Sequence, residues 1–268
     1  MKKKLIAIIL ACVTFSALFC GCAPKTEESQ KYIGIISAMD NEIDLLLKET
    51  KIDRVDTFAG VKYYVGTLNG QSVVITRSGI GKIRASSGVT TLLIKYPISK
   101  VIFTGIAGGV ADEPQVLDQI IATSLVEHDY GIFSNDGFKW RSGDPGFGDQ
   151  EGVYYECDSK LIKLAYDSAV EVMGESHVFK GTIATGDQFI ANSEYVEQLR
   201  ADYNAYACEM EGAAAAVVCI KYETPFIVIR ALSDKADGNA HESYENFGDI
   251  AANNSSRIVL KMLESIND

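Results

Sequence analysis

Pro225-Phe226-Ile227-Val228-Ile229-Arg230-Ala231-Leu232 is an apolar run of strand length. It lacks the alternation of a half-solvated strand, so both of its faces must be covered. That is the pattern of a central strand in a parallel or mixed sheet. Tyr32–Ser37 (YIGIIS) reads the same way, and Val101–Thr104, Gln119–Ser124, Val178–Ala184 and Tyr206–Glu209 read as further strands. Helical stretches lie between them: Met39–Lys48, with Ile43, Leu46 and Leu47 on one face, Gly81–Tyr96, Ser159–Met173, Glu194–Arg200, the alanine-rich Glu211–Lys221 and Asn246–Ile266. Lys62–Leu68 and Ser72–Arg77 flank Asn69-Gly70, a hairpin signal. Residues 127–152 read as one long polar, aromatic and glycine-rich loop, a length that in a compact domain usually serves function. Strands separated by helices predict one α/β domain over residues 31–268, with a central mixed sheet between two helical layers.

In such sheets ligands bind beyond the carboxyl ends of the strands. The rule selects Ala38–Glu42, Gly105–Gly109, Gly186–Ile190, Glu209–Glu211 and Arg230–Asp234. These segments carry Glu42, Asp187, Glu209, Glu211 and Asp234. Clustered carboxylates suit a divalent cation, but no metal-ligand spacing accompanies them, and His128, His177 and His241 are scattered, so no metal is expected. The other use of such a cluster is acid and base catalysis of hydrolysis through a cationic sugar-like state.

The 268 residues carry 25 Lys and Arg against 36 Asp and Glu, a net charge of −11. A polyanionic nucleic acid would be repelled, so none is expected as a partner. The only basic run, Lys2-Lys3-Lys4, precedes an apolar stretch from Leu5 to about Phe19, the layout of a signal peptide and short for a membrane span. Gly21-Cys22 and the polar tether 23–30 after it match a bacterial lipoprotein processing site. Residues 1–22 are therefore expected to be a leader cleaved before an acylated Cys22, which places the domain on the extracytoplasmic face of the membrane. An uncleaved anchor is the alternative. Removing residues 1–21 takes away three lysines and no acid, which leaves 22 basic and 36 acidic residues, a net −14. Cys157, Cys208 and Cys219 remain, an odd number that demands no disulfide; Cys208 and Cys219 sit in apolar surroundings, as small buried hydrophobes do.

Five motifs together make the reading specific. Ile33-Gly34-Ile35-Ile36-Ser37-Ala38-Met39-Asp40-Asn41-Glu42, Thr104-Gly105-Ile106-Ala107-Gly108-Gly109, Gly186-Asp187-Gln188-Phe189-Ile190, Glu209-Met210-Glu211-Gly212-Ala213-Ala214 and Arg230-Ala231-Leu232-Ser233-Asp234 resemble, in order and spacing, the 5′-methylthioadenosine/S-adenosylhomocysteine nucleosidases. The resemblance covers essentially all of residues 31–268. It implies a nucleoside phosphorylase-like fold, a homodimer, no cofactor, and hydrolysis of the N-glycosidic bond of 5′-substituted adenosines, 5′-deoxyadenosine among the candidates. It implies that Asp234 protonates the departing adenine at N7, with Ser233 and Arg230 orienting it. Glu42 would activate water and Glu211 would hold the ribose hydroxyls beside a second carboxylate, Glu209. Met39 and Met210 would pack on the sugar, and Phe189 would stack on adenine with the Ile190 backbone at the base edge. Ala107 and Gly108 would allow close backbone approach, and Tyr244 would lie over the 5′-group. Ile106 departs from the family, where a hydroxyl residue is common. Two other readings stand: a purine nucleoside phosphorylase, which would need a phosphate cradle near the first strand turn, and a nucleoside-binding lipoprotein without chemistry, which would need no acid and base across the bond.

Overall fold

The computed structural model describes residues 31–140 and 153–266. The expected leader, Cys22 and the tether lie outside the described residues, as do residues 141–152. The described elements are β1 (Tyr32–Ser37), α1 (Asp40–Glu49), β2 (Lys51–Phe58), β3 (Val61–Leu68), β4 (Gln71–Arg77), α2 (Lys82–Lys95), β5 (Ile98–Gly109) and β6 (Gln119–Glu127). There follow β7 (Gly131–Ser134), β8 (Gly137–Trp140), β9 (Tyr155–Glu156), α3 (Ser159–Met173), a short 3-10 turn, β10 (Val178–Thr185), α4 (Ser193–Tyr203), β11 (Ala205–Glu209), α5 (Gly212–Lys221), β12 (Phe226–Asp234) and α6 (Ala240–Ser265). The expected α/β fold with a central mixed sheet is what the chain adopts.

The sheet runs β11-β10-β6-β12-β5-β1-β4-β3-β2. β12 is buried along its whole length. It pairs in parallel with β5 and antiparallel with the start of β6. Helices α1, α3 and α6 pack together on one side, and α2 against α5 on the other. The sheet also closes on itself: the last residues of β5 pair antiparallel with β11, Gly108 opposite Cys208 and Gly109 opposite Ala207. Gly108 is also the register partner of Asp234. One residue thus joins the end of β12 to the end of β11, and acidic segments far apart in sequence meet there.

Three readings are corrected. Gly105–Gly109 is not a turn after a short strand but the continuation of β5, because both β12 and β11 supply backbone partners along it. Residues 127–140 are not loop throughout. β6 reaches Glu127, and β7 and β8 form a hairpin turning at Asn135-Asp136, with Gly137, at φ +96°, opening β8. Helix α6 starts at Ala240, six residues earlier than the apolar pattern marks. Strand β2 was not foreseen. It is an edge strand, largely exposed and charged, and carries no burial pattern to read.

Candidate active site

Glu42 occupies the first turn of α1, where a carboxylate is usually solvated and steadied by the helix dipole. Here it is 2% exposed. Its Oε2 accepts the backbone N–H of Ala38 at 2.9 Å and of Met39 at 2.8 Å, and its Oε1 accepts that of Ile106 at 2.9 Å. One carboxylate thereby ties the amino end of α1 to β5. Burial raises its pKa, opposed by Arg230 and these three amides. Gly105 makes the approach possible: a Cβ there would lie 2.2 Å from Arg230 Nη1 and 2.4 Å from Glu42 Oε1.

Glu209 and Glu211 flank the start of α5. Glu209 accepts the Thr185 hydroxyl at 2.5 Å and the backbone N–H groups of Glu211 and Gly212, and is bonded by Arg230 Nη2. Glu211 Oε1 accepts the N–H of Gly81, the residue that opens α2, at 2.8 Å, and its Oε2 lies 3.5 Å from Arg230 Nη2. Burial and the neighbouring Glu209 push the Glu211 carboxyl up to about 8. Arg230, wholly buried, lies over the Phe103 ring at 4.6 Å.

Asp234 ends β12 and is 2% exposed. Its Oδ1 accepts the N–H of Ala236 at 2.7 Å and its Oδ2 accepts the Ser233 hydroxyl at 2.8 Å, while the Ala107 carbonyl lies 3.3 Å from the same hydroxyl. Burial raises the Asp234 pKa against those two hydrogen bonds. The expectation that Arg230 orients Asp234 is therefore corrected: Ser233 bonds it, and Arg230 turns to the glutamates, whose charge holds the guanidinium in the core.

These groups surround a cavity of about 340 Å³. It is lined by Ala107, Gly108, Ser233, Asp234, Glu42, Glu209 and Glu211; Asp234 Oδ1 stands beside Gly108 and Glu42 Oε1 beside Gly105, three residues back along β5. Phe189, Ile190, Met210, Met39 and Tyr244 contribute to the apolar part of the lining. Phe189 is 53% exposed and meets the Tyr244 ring edge-on at 6.1 Å. The Tyr244 hydroxyl is 3.6 Å from Met39 Sδ. Arg230 is the one expected site residue that does not line the cavity. Asp187 also stays outside the cavity: it accepts the Lys82 N–H at 2.8 Å while its own N–H donates to Asp129, which pins the Phe189 loop to α2. Ile80, Gln188, Cys208 and His241 line the cavity unforeseen; Gln188 lies within a recognised motif and Cys208 adjoins one, Ile80 stands in the turn before α2, and His241 stands on the turn of α6 that the apolar pattern missed. Ile106 packs with Ala231, Ala251 and Ala252 against Met39 and Tyr244. Cys157, Cys208 and Cys219 are buried and free. Among the described residues no group of three His, Cys, Asp or Glu side chains is placed to hold a metal ion.

A closed mixed sheet with such an acidic cavity at its strand ends defines a class, and residues 32–264 match the family model of the phosphorylase superfamily. The 5′-methylthioadenosine/S-adenosylhomocysteine nucleosidase of Bacillus subtilis is 38% identical over 237 residues, 88% of this chain and 99% of the relative. The crystal structure of the Neisseria meningitidis nucleosidase of the same name, in complex with methylthio-immucillin-A, superposes with a TM-score of 0.80 at 34% identity, over 88% of this chain and all of that one. Futalosine hydrolase of Helicobacter pylori superposes at 0.79 and 30% identity, over 88% and 99%. The chain belongs to the phosphorylase superfamily and, within it, to the family of 5′-methylthioadenosine/S-adenosylhomocysteine nucleosidases.

Proposed function

We propose that the protein is an N-ribosyl hydrolase that converts 5′-methylthioadenosine and S-adenosylhomocysteine, with water, to adenine and the 5′-thio-substituted ribose. The observation that supports this reading is a pair of buried carboxyl groups of raised pKa lining one cavity, Asp234 beside Gly108 and Glu42 beside Gly105. Adenine leaves once N7 takes a proton, and Asp234 is placed to give it. Ser233 serves both states of this acid: it donates to the carboxylate, or turns its hydrogen to the Ala107 carbonyl and accepts from the carboxylic acid. Glu42 takes a proton from water as the water oxygen bonds to the anomeric carbon, and a pKa raised towards neutrality suits a general base. Arg230 Nη1, which faces the same Gly105 notch as Glu42 Oε1, favours the charged form of that carboxylate. Glu211 holds the ribose hydroxyls, worth more as the ring gains positive charge.

Phosphorolysis is disfavoured by the same geometry. The backbone N–H groups at the start of α1, which would cradle an anion, are taken by Glu42 itself. The test is to incubate the purified protein with 5′-methylthioadenosine, S-adenosylhomocysteine, 5′-deoxyadenosine, adenosine and inosine, with and without phosphate, and identify base and sugar products. Free sugar formed independently of phosphate is expected; a sugar 1-phosphate refutes the reading, and binding without turnover makes the protein a nucleoside receptor.

We further propose export and lipid attachment through Cys22 to the extracytoplasmic membrane face. The leader pattern supports this, and a membrane-bound Cys22→Ala variant with unchanged processing would refute it. A homodimer is proposed with it, supported by exposed apolar side chains such as Ile83 and Phe133 and tested by sedimentation.

A further inference from the structure

We propose that Lys82 is a positioning residue: with Asp129 it closes a ring of hydrogen bonds that holds the Phe189 loop against adenine, in register with Glu211 at the ribose. The inference rests on the reaction proposed above and deepens it by naming what fixes the base-binding loop. That loop has little packing of its own. Asp187, Gln188 and Phe189 are all exposed, so burial does not hold them at the cavity, and an untied loop would have to be ordered at the expense of substrate binding. Its far end is tied to the turn of the acid: the Asn192 N–H donates to the Ala236 carbonyl at 2.9 Å, and the Ala236 N–H holds Asp234.

The near end is tied through Asp187, and there Lys82 donates twice. Its backbone N–H binds Asp187 Oδ1 at 2.8 Å, and its ammonium binds Asp129 Oδ1 at 2.6 Å. Asp129 Oδ2 accepts the Asp187 N–H at 2.8 Å, which closes the ring. Gly186 lets the loop come this near: a Cβ there would lie 2.3 Å from His128 Nε2 and 3.1 Å from Asp129 Cγ. The ammonium also lies 3.4 Å from Glu127 Oε1, so the carboxylates of Glu127, Asp129 and Asp187 gather about one cation. Without that cation they repel one another, and the exposed loop is the part able to yield. The Lys82 and Asp129 side chains are less than a fifth exposed, so water screens this pair less than an ordinary surface pair. Burial acts to lower the Lys82 pKa, yet the bond to Asp129 outweighs it and the pKa is raised. One residue earlier, the Gly81 N–H holds Glu211 Oε1 at 2.8 Å. The amino end of α2 thus anchors the base loop and the ribose carboxylate on successive amides.

The experiment measures kcat and KM for 5′-methylthioadenosine in the wild type, Asp129→Asn, Lys82→Met and Lys82→Arg, and repeats Asp129→Asn in a Phe189→Ala background. Asp129→Asn keeps the shape and one acceptor but loses the charge. It and Lys82→Met are each expected to raise KM about tenfold, the worth of one charge-assisted bond, and to change kcat less than about threefold. Lys82→Arg keeps the cation and is expected to stay within about threefold of wild type. In the Phe189→Ala background the loop has no ring to place, and Asp129→Asn is expected to raise KM no more than about twofold further. General destabilisation gives a different pattern: it lowers kcat by removing folded enzyme, leaves KM alone and adds unchanged to Phe189→Ala. That pattern, or a Lys82→Arg variant as impaired as Lys82→Met, overturns the proposal. Should the wild type release no adenine, the reaction reading fails, and dissociation constants of 5′-methylthioadenosine and adenine in the same variants decide the positioning role by the same cycle; absence of binding overturns both.

Discussion

Replacing Glu42 by Gln separates its structural bonds from its chemical task, because the two have different magnitudes. The carboxylate accepts from three backbone amides, two on Oε2 and one on Oε1. A carboxamide matches only one side. With its oxygen towards Ala38 and Met39, its NH2 group confronts the Ile106 N–H, a buried donor against a donor; the flipped rotamer leaves two amides unsatisfied instead. One buried unsatisfied pair costs about 1–3 kcal/mol. For a domain of this size each kcal/mol lowers Tm by roughly 2–4 °C, so the variant is expected to melt about 2–12 °C below wild type. Loss of a positioned general base costs about 10²–10⁴ in rate, far more than the destabilisation removes from the folded population at 25 °C. The assays are thermal unfolding, adenine release at saturating 5′-methylthioadenosine, and calorimetric binding of an unreactive adenosine analogue. Binding should persist. A variant that melts as expected yet keeps more than about a tenth of wild-type kcat would refute the base role and leave Glu42 as a structural tie between α1 and β5.

Asp234→Asn, which keeps the size and the Ala236 and Ser233 neighbours but has no acidic proton, is expected to lower kcat by about 10²–10⁴ with binding retained; wild-type turnover would reduce Asp234 to a cap on the turn after β12. Gly105→Ala drives a methyl group into Arg230 Nη1 and Glu42 Oε1 at 2.2 and 2.4 Å, so it should cost about 1–3 kcal/mol in denaturant unfolding and most of the activity; a neutral result would mean that the two charged groups stand further apart than described. Stability should also depend on pH: Glu211 titrates at about 8 in the fold against 4.5 ordinarily, and Glu42 and Asp234 are raised too. The fold thus binds these protons more tightly than the unfolded chain, a stabilisation complete below about pH 4.5 and lost as pH rises to about 8, worth a few kcal/mol in all. A Tm of the ligand-free protein that rises from about pH 5 to 8 would contradict this assignment.

The buried architecture was legible because burial leaves a mark on sequence. The run 225–232 has no polar face, and it became a strand with none. The Asn69-Gly70 turn forms as its chemistry requires, with both residues at positive φ. What escaped notice lacks that mark. β2 lies at an edge with charges along it, and the first turns of α6 are polar because one side borders the cavity. Arg230 illustrates a different limit. Its proximity in sequence to Asp234 suggested that the two work together, yet four residues of extended strand, about 13 Å, separate them, and the register of β12 shifts between Leu232 and Asp234. The partners of Arg230 come from β11 and α5, some 20 residues earlier in the chain and brought near only by the closure of the sheet at Gly108. The five acidic segments could be chosen from topology alone; which carboxylate would face the cavity could not, and Asp187 went the other way.

The arrangement of the glutamates bears on why water, rather than an anion, would be the nucleophile here. Helix amino ends attract anions, through their free N–H groups and their dipoles. In this chain the amino end of α1 holds Glu42, that of α2 holds Glu211 through Gly81, and that of α5 holds Glu209. Three positive ends that border the cavity are thus already filled by carboxylates of the protein. Among the described residues Arg230 is the cation bonded to them, and it faces three carboxylates in all. A free phosphate would have to displace a covalently tethered, buried carboxylate and then tolerate the two that remain, whereas a neutral water molecule loses nothing by entering. Burial raises Glu42, and burial together with the neighbouring Glu209 raises Glu211 to about 8; a raised pKa helps a base both take and return a proton. Phosphate added at millimolar levels should therefore leave both the rate and the sugar product unchanged; competitive inhibition by phosphate that disappears in Glu42→Gln would show an anion site where the amides are described as occupied.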